Sequence, residues 1–408
     1  MVGPFTIRPI PNLRLSPVGV VPKSDGKWRL ITHLSYPAGK GVNSYIPEAL
    51  SSVKYSPFDN VIEMVSSLGK EALLAKMDIK SAFRLLPVFP GDFDLLGLKV
   101  DNQYFIDKCL PMGCSISCRY FENFSTFLHW LVIYRSGINS LDHYLDDFLF
   151  AGKRESGNCE ALMLCFSGIC EDFGIPIAHE KTVGPVTVLV FLGLQIVTVN
   201  RVVRIPQHKA EELHGLLLKY SKCKKITKKE LESLVGSLCF YCRALKPGPA
   251  FLRRFYDELA KVSQPHHFIR VHSGMREDMD MWLEFLETFD GQAYFQESTW
   301  LDSNTLQLYT DSAGSAKLGC GAFFAGKWVF FPWPIKWEGL SVLRDKTFLE
   351  FISVILSLML WGLALQNKHV RFRMDNIALV SVLNTQSSKS HRLMFLVRVF
   401  VKLVMHIT

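Results

Sequence analysis

Hydrophobic positions along the chain fall into short strand-like runs and longer stretches at helical spacing. Val18 to Val21 and Trp28 to Thr32 are β-prone and flank the turn Lys23-Ser24-Asp25-Gly26, which predicts a small hairpin in a first stretch otherwise rich in Pro, Gly and Ser. Leu73 to Ile79 reads as a buried strand that reaches an acid, Asp78. Tyr120 to Tyr134 has helical apolar spacing, and Leu141 to Ala151 returns to strand character around Asp146-Asp147. Ala161 to Phe173 predicts a helix. Val186 to Val199, rich in Val and Thr and interrupted by Gly193, predicts more sheet.

Thr227 with Glu230 three residues later is a capping-box pattern, so a helix is predicted from there through Leu231, Leu234, Leu238 and Tyr241. Pro247-Gly248-Pro249 ends it. An amphipathic helix follows around Met275 to Phe289, and a domain boundary is expected near residue 300. Beyond it, Leu306 to Thr310, Cys320 to Phe324 and Trp328 to Phe331 predict three strands joined by Gly-containing turns. Helix Asp345 to Leu365, strand His369 to Met374 and two shorter helical stretches complete the pattern.

Composition narrows the classes. In 408 residues, 49% hydrophobic and 21% charged, there is enough apolar material for several cores, which excludes disordered and collagen-like chains. The net charge of +8 is concentrated: between Lys219 and Arg254 stand ten basic residues and only two acids, Glu230 and Glu232. Such a field suits a polyanion. Ten scattered cysteines without a secretory leader point to a reduced, intracellular compartment, cytoplasmic or nuclear. Cys239 and Cys242 form the C-x-x-C, but no second ligand pair stands near, so core thiols are expected there in place of zinc. Phe351 to Leu365 is the most apolar stretch; at fifteen residues it is short of the roughly 20 that span a bilayer and predicts a buried helix, with no membrane partner.

The acids in Tyr144-Leu145-Asp146-Asp147 sit between two apolar β-prone runs, so they are expected in the tight turn of a hairpin with buried flanks. Crowded carboxylates call for a hard divalent cation. Asp78 at the end of an earlier strand, and Leu110-Pro111-Met112-Gly113-Cys114-Ser115 opening a helix between the two acidic sites, complete a set that resembles the polymerase palm of reverse transcriptases. The resemblance implies that Asp78, Asp146 and Asp147 are catalytic and hold two Mg²⁺ (or Mn²⁺) ions for in-line phosphoryl transfer. It also implies nucleotide contacts. Phe83 matches the aromatic gate that excludes ribonucleotides, Gly113 the small residue beside template and nucleotide, and Met112 its neighbour. Lys23 and Arg29 match triphosphate-gripping residues, Lys181 a lysine that helps the leaving pyrophosphate, and Phe191-Leu192-Gly193-Leu194 resembles a primer grip. The basic segment falls where that family has its thumb, so Lys222, Lys224, Lys225, Lys228, Lys229, Arg253 and Arg254 are expected to contact the nucleic-acid backbone.

A second acidic set, Asp311 in Tyr309-Thr310-Asp311-Ser312, Glu350 on a helix, and Asp375 after a strand, resembles the ribonuclease H site, where two Mg²⁺ ions serve hydrolysis of the RNA in an RNA:DNA hybrid. A fourth metal-site residue would follow the last residue, and the amino-terminal fingers portion would precede the first, so both ends are expected to be incomplete and hybrid cleavage weak.

The expected fold is thus an α+β right-hand polymerase followed by an RNase H-like α/β domain: fingers 1–73, palm 74–200 with an inserted fingers segment 89–110, thumb 201–262, connection 263–304 and RNase H-like domain 305–408. Expected partners are an RNA template, a DNA primer, an RNA:DNA hybrid and deoxynucleoside triphosphates. The runs Ser16 to Lys23, His33-Leu34-Ser35-Tyr36-Pro37 and Leu383 to Ser390 resemble DIRS-type retrotransposon polyproteins, with gypsy-like elements next. Two alternatives stand beside this reading: an RNA-synthesising palm polymerase, and a decayed or domesticated fragment that binds nucleic acid without catalysis.

Overall fold

In the computed structural model, which describes residues 1–22, 26, 28–288, 291–295, 300–315 and 317–407, the amino-terminal hairpin consists of Val18–Pro22 (β1) and Trp28–Thr32 (β2), paired antiparallel with Val18 opposite Thr32. Lys23 in its turn lies outside the described residues. The Pro- and Ser-rich stretch beyond holds a helix that its composition hides, Phe58–Leu68 (α1). Phe58, Val61 and Val65 share one buried stripe of it, and Gly69 at φ 93° ends it.

The chain divides into two compact units, residues 1–192 with 196–201, and 193–195 with 202–408. The first is organised by a four-stranded antiparallel sheet in the order Leu141–Tyr144 (β4), Asp147–Gly152 (β5), Leu73–Asp78 (β3) and Val183–Val186 (β6). Because β3 is interior, it is apolar on both faces except at Lys76 and Asp78. Helices Ser117–Ser136 (α2) and Asn158–Asp172 (α3) supply Phe121, Leu128, Val132, Leu162, Phe166 and Ile169 to a core shared with Phe148 and Phe150 of β5. The ring centroids of Phe148 and Phe166 are 4.5 Å apart. At roughly 1.5–3 kcal/mol for each such side chain fully buried, this layer fixes the sheet whose ends carry the acids.

The second unit holds short strands Val202–Arg204 (β7) and Lys225–Thr227 (β8) and helices Gln207–Lys222 (α4), Lys228–Tyr241 (α5), Arg253–Ala260 (α6) and Ser273–Thr288 (α7). The capping box at Thr227 is complete: its hydroxyl accepts from the Glu230 amide at 3.2 Å, and the Glu230 carboxylate accepts from the Thr227 amide at 2.8 Å. Helix α4 escapes a pattern reading because only Leu213, Leu217 and Tyr220 are buried on it. All ten cysteines are free thiols; Cys242 is a partly buried thiol pushed up to about 12 by burial, whereas Cys239 is exposed and not part of a core.

In the same unit Leu308–Ser312 (β10), Gly319–Phe324 (β11) and Lys327–Pro332 (β12) form an antiparallel meander. Short strands Leu301–Asp302 (β9) and Val370–Arg371 (β13) pair in parallel. The strand expected from His369 to Met374 is cut to two residues because Ser303 turns its hydroxyl onto the Arg373 amide at 3.0 Å and Asp302 takes Arg373 Nε at 2.7 Å, replacing ladder bonds. Helix Lys346–Trp361 (α8) is capped by Asp345, whose carboxylate accepts from the Phe348 amide at 3.1 Å. With its terminal 3₁₀ turn it is long and apolar enough to cross a bilayer, but half of it is buried within the protein, through Leu349, Phe351, Val354, Ile355 and Leu358. Helices Ile377–Thr385 (α9) and His391–Ile407 (α10) follow, the second longer than the sequence pattern suggests. Asp278 of α7, almost wholly buried, pairs with Arg254 of α6 at 2.9 Å and Arg398 of α10 at 3.4 Å.

Candidate active site

Strands β3 and β5 run antiparallel so that their last and first residues, Asp78 and Asp147, are direct cross-strand partners. Between β4 and β5 only Leu145 and Asp146 turn the chain, since Tyr144 pairs with Asp147. Leu145 has φ 52°, a left-handed backbone that a branched side chain adopts at a cost of order 1 kcal/mol. Two contacts hold it. The Leu145 amide donates to Glu122 Oε2 at 3.1 Å, and the Asp146 carbonyl accepts from the Ile79 amide at 3.0 Å. Glu122 sits buried on α2, so the turn is braced from the helix on one side and from the end of β3 on the other.

The three carboxylates therefore share one corner, and their electrostatics show it. Burial, then Asp146 and Asp78, push the Asp147 carboxyl up to about 6. Burial and the charge of Asp78 also raise Asp146, while Lys181 and Arg29 pull it back. Lys181 Nζ lies 2.9 Å from Asp78 Oδ2, and that hydrogen bond holds the ammonium above its usual range. The 3₁₀ turn that carries Lys181 is anchored by the Ala178 amide donating to the Asp78 carbonyl at 2.8 Å. An all-oxygen donor set with excess negative charge fits hard divalent cations such as Mg²⁺.

The other predicted residues have settings of their own. Phe83 is half-buried on a 3₁₀ turn, edge-on to Phe121 with centroids 5.4 Å apart. Met112 accepts the Thr32 amide at 2.9 Å through its carbonyl, which docks the 111–114 segment on β2. Gly113 has φ 114°, and a Cβ there would stand 2.0 Å from the Thr32 carbonyl oxygen, so glycine is required. Asn43, which the sequence did not single out, clasps this segment: its side chain donates to the Gly113 carbonyl at 2.9 Å and accepts the Ser115 amide at 3.0 Å. Arg29 is exposed on β2, near enough for its charge to act on Asp146.

Residues 21–196 match the family described as reverse transcriptase (RNA-dependent DNA polymerase). This segment is a reverse transcriptase domain. Relatives of the chain are retroviral and retrotransposon polyproteins. It is 24% identical over 369 residues, 85% of its length, to the Gag-Pro-Pol polyprotein of Mason-Pfizer monkey virus, and 24% identical over 225 residues to the Pro-Pol polyprotein of feline foamy virus. It spans only 18% and 17% of those polyproteins. In fold, 94% of the chain is similar to a foamy viral protease–reverse transcriptase in complex with double-stranded DNA, at TM-score 0.58 and 14% identity over 62% of that chain. A second such structure, in complex with an RNA/DNA hybrid, matches at TM-score 0.55 and 16% identity, over 94% of this chain and 48% of that one.

Outside the reverse transcriptase domain, Asp311 lies on β10, Glu350 on α8 and Asp375 just after β13. Burial first, then the charges of Asp375 and Asp311, raise the Glu350 carboxyl, so Glu350 lies within electrostatic reach of both. Of the basic set, Arg253 pairs with Asp257, Arg254 with Glu277 and Asp278, and Lys228 with Glu232. Lys225 lies over the Phe268 ring at 4.3 Å. Lys222, Lys224 and Lys229 are exposed.

Proposed function

We propose that the chain is an RNA-directed DNA polymerase that joins a primer 3′-hydroxyl to the α-phosphorus of a deoxynucleoside triphosphate. The observation that carries this is the convergence of Asp78, Asp146 and Asp147 on one braced corner, with Asp147 held near 6. These residues would hold two Mg²⁺ ions, whose chemistry when bound is to stabilise charge on the attacking and leaving oxygens. Arg29, Lys181 and the exposed lysines at 222, 224 and 229 supply positive charge for the triphosphate and the duplex backbone, by position and not by base identity. The solved foamy viral enzymes are complexes with double-stranded DNA and RNA/DNA hybrid, which supports nucleic acid as the partner. The runs from Ser16, His33 and Leu383 favour a DIRS-type element as the source.

Primer extension on poly(rA)–oligo(dT) with Mg²⁺ tests the reading. Incorporation is expected from the chain and a loss of about 100- to 1,000-fold from Asp146→Asn, on the scale of removing a principal electrostatic contribution; equal incorporation by both would refute the catalytic assignment and favour a fragment that only binds. Phe83→Ala is expected to admit ribonucleotides, and unchanged sugar selectivity would favour an RNA-synthesising enzyme. We assign hybrid-RNA hydrolysis to Asp311, Glu350 and Asp375, because Glu350 responds to both partner charges. Any cleavage of a labelled RNA:DNA hybrid is expected to be weak, to disappear in Asp375→Asn and to persist in Asp146→Asn.

A further inference from the structure

A second polar cluster lies on the strand that leads into the Asp146-Asp147 turn. Asp142 and His143 of β4 lie beside His129 of α2, and one ligand atom from each of the three lies within 4.8 Å of the others. From this juxtaposition we infer that His129, Asp142 and His143 bind a single Zn²⁺-type cation, separate from the carboxylate corner and independent of its polymerase reading.

The ring orientations make the case. His143 Nε2 lies 3.4 Å from Glu122 Oε1, and both side chains are about nine-tenths buried. With Nε2–H donating to that carboxylate, the Nδ1 lone pair of the neutral ring is free. That lone pair meets His129 Nδ1 at 2.8 Å. A carboxylate behind a histidine whose far nitrogen faces a cation is the arrangement that orients metal-binding imidazoles. Asp142 is fixed as well: one oxygen accepts the His143 amide at 2.8 Å and the other the Ser56 hydroxyl at 2.7 Å, and each oxygen keeps a further lone pair. Two imidazoles and one carboxylate form a borderline-soft set that suits Zn²⁺, unlike the all-oxygen corner of Asp78, Asp146 and Asp147. Tetrahedral coordination at about 2.0–2.1 Å sets the two nitrogens about 3.3 Å apart, so the rings need to part by only about 0.5 Å. Water would complete the fourth position. The bound ion would tie α2 to β4 beside the Glu122 brace.

The competing use of the same atoms is a plain hydrogen bond between the two imidazoles, and Co²⁺ spectroscopy separates them. The full chain, stripped with EDTA and exchanged into chelator-free buffer, is expected to take up one Co²⁺ with the intense visible bands of a four-coordinate, nitrogen-ligated ion, and to lose them on adding one equivalent of Zn²⁺. The bands should disappear in His129→Asn and persist in Asp146→Asn. Absence of bands in the unaltered chain would overturn the inference, whether or not the variant folds. So would bands that survive His129→Asn, or bands lost in Asp146→Asn, which would place the ion at the carboxylate corner.

Discussion

Asp147 faces Asp78 across one sheet register and adjoins Asp146, and its carboxyl is pushed up from 3.8 to about 6 by burial first and those two charges next. A group whose pKa is raised on folding binds its proton more tightly folded than unfolded. Its contribution to stability is therefore complete below pH 4, falls as pH rises, and is gone above about 6. Metal-free protein is expected to melt progressively lower across that window, and Mg²⁺ to raise the melting temperature at pH 7.5 but hardly at pH 5. Asp147→Asn removes the penalty: without metal at pH 7.5 it should be more stable by about 1–2 kcal/mol after allowance for solvent screening, and less responsive to Mg²⁺ than the parent. A variant that melts lower than the parent without metal would show that the charges at this corner are already compensated. The hairpin that carries the acids was legible in the sequence, since two adjacent carboxylates between apolar strand runs suit a tight turn. Asn43 was not, because the groups it holds in the 113–115 segment are backbone atoms some seventy residues away, and no spacing rule reports them.

At the scale of elements, the β4–β5 hairpin depends on a helix. Leu145 keeps its left-handed backbone while Glu122 accepts its amide. Glu122→Ala should leave that donor unsatisfied and cost about 1–3 kcal/mol, with a matching loss of primer extension. Glu122→Gln, which retains a carbonyl oxygen for Leu145, should recover most of the stability; equal damage from both would mean that the charge matters and the brace does not. Gly113→Ala is expected to be worse, because the added carbon meets the Thr32 carbonyl and φ is unsuited to alanine; a loss of about 2–4 kcal/mol would be read as a lower denaturation midpoint. Strong local signals were readable here: the Thr227 capping box, the Asp345-capped apolar helix, and the three-strand meander. Helices α1 and α4 were not, because each buries only three apolar positions against partners distant in sequence. Glu122 was hidden for a similar reason, as an acid on an amphipathic helix looks like a solvent edge until its backbone partner is known.

For the whole molecule, charge and connectivity decide what can be separated. Lys222, Lys224 and Lys229 are exposed members of the basic segment, whereas Arg253 and Arg254 of the same segment are matched with acids. Replacing all three with alanine should weaken duplex binding for every sequence alike and reduce the slope of log affinity against log salt by up to about 3, since each phosphate contact contributes about 0.9. An unchanged slope would move the contact surface elsewhere. Net charge showed where to look, but it could not tell which cations were already spoken for. A boundary near residue 300 was plausible from sequence, yet residues on both sides of it belong to one unit. The reason is visible at Asp278: its carboxylate answers to Arg254 before that position and to Arg398 well beyond it, and even so is pushed up to about 6. Expression of residues 202–300 alone would strand a desolvated anion with half its counter-charge amputated, so a protein split there should be recovered in soluble form only when both halves are produced together.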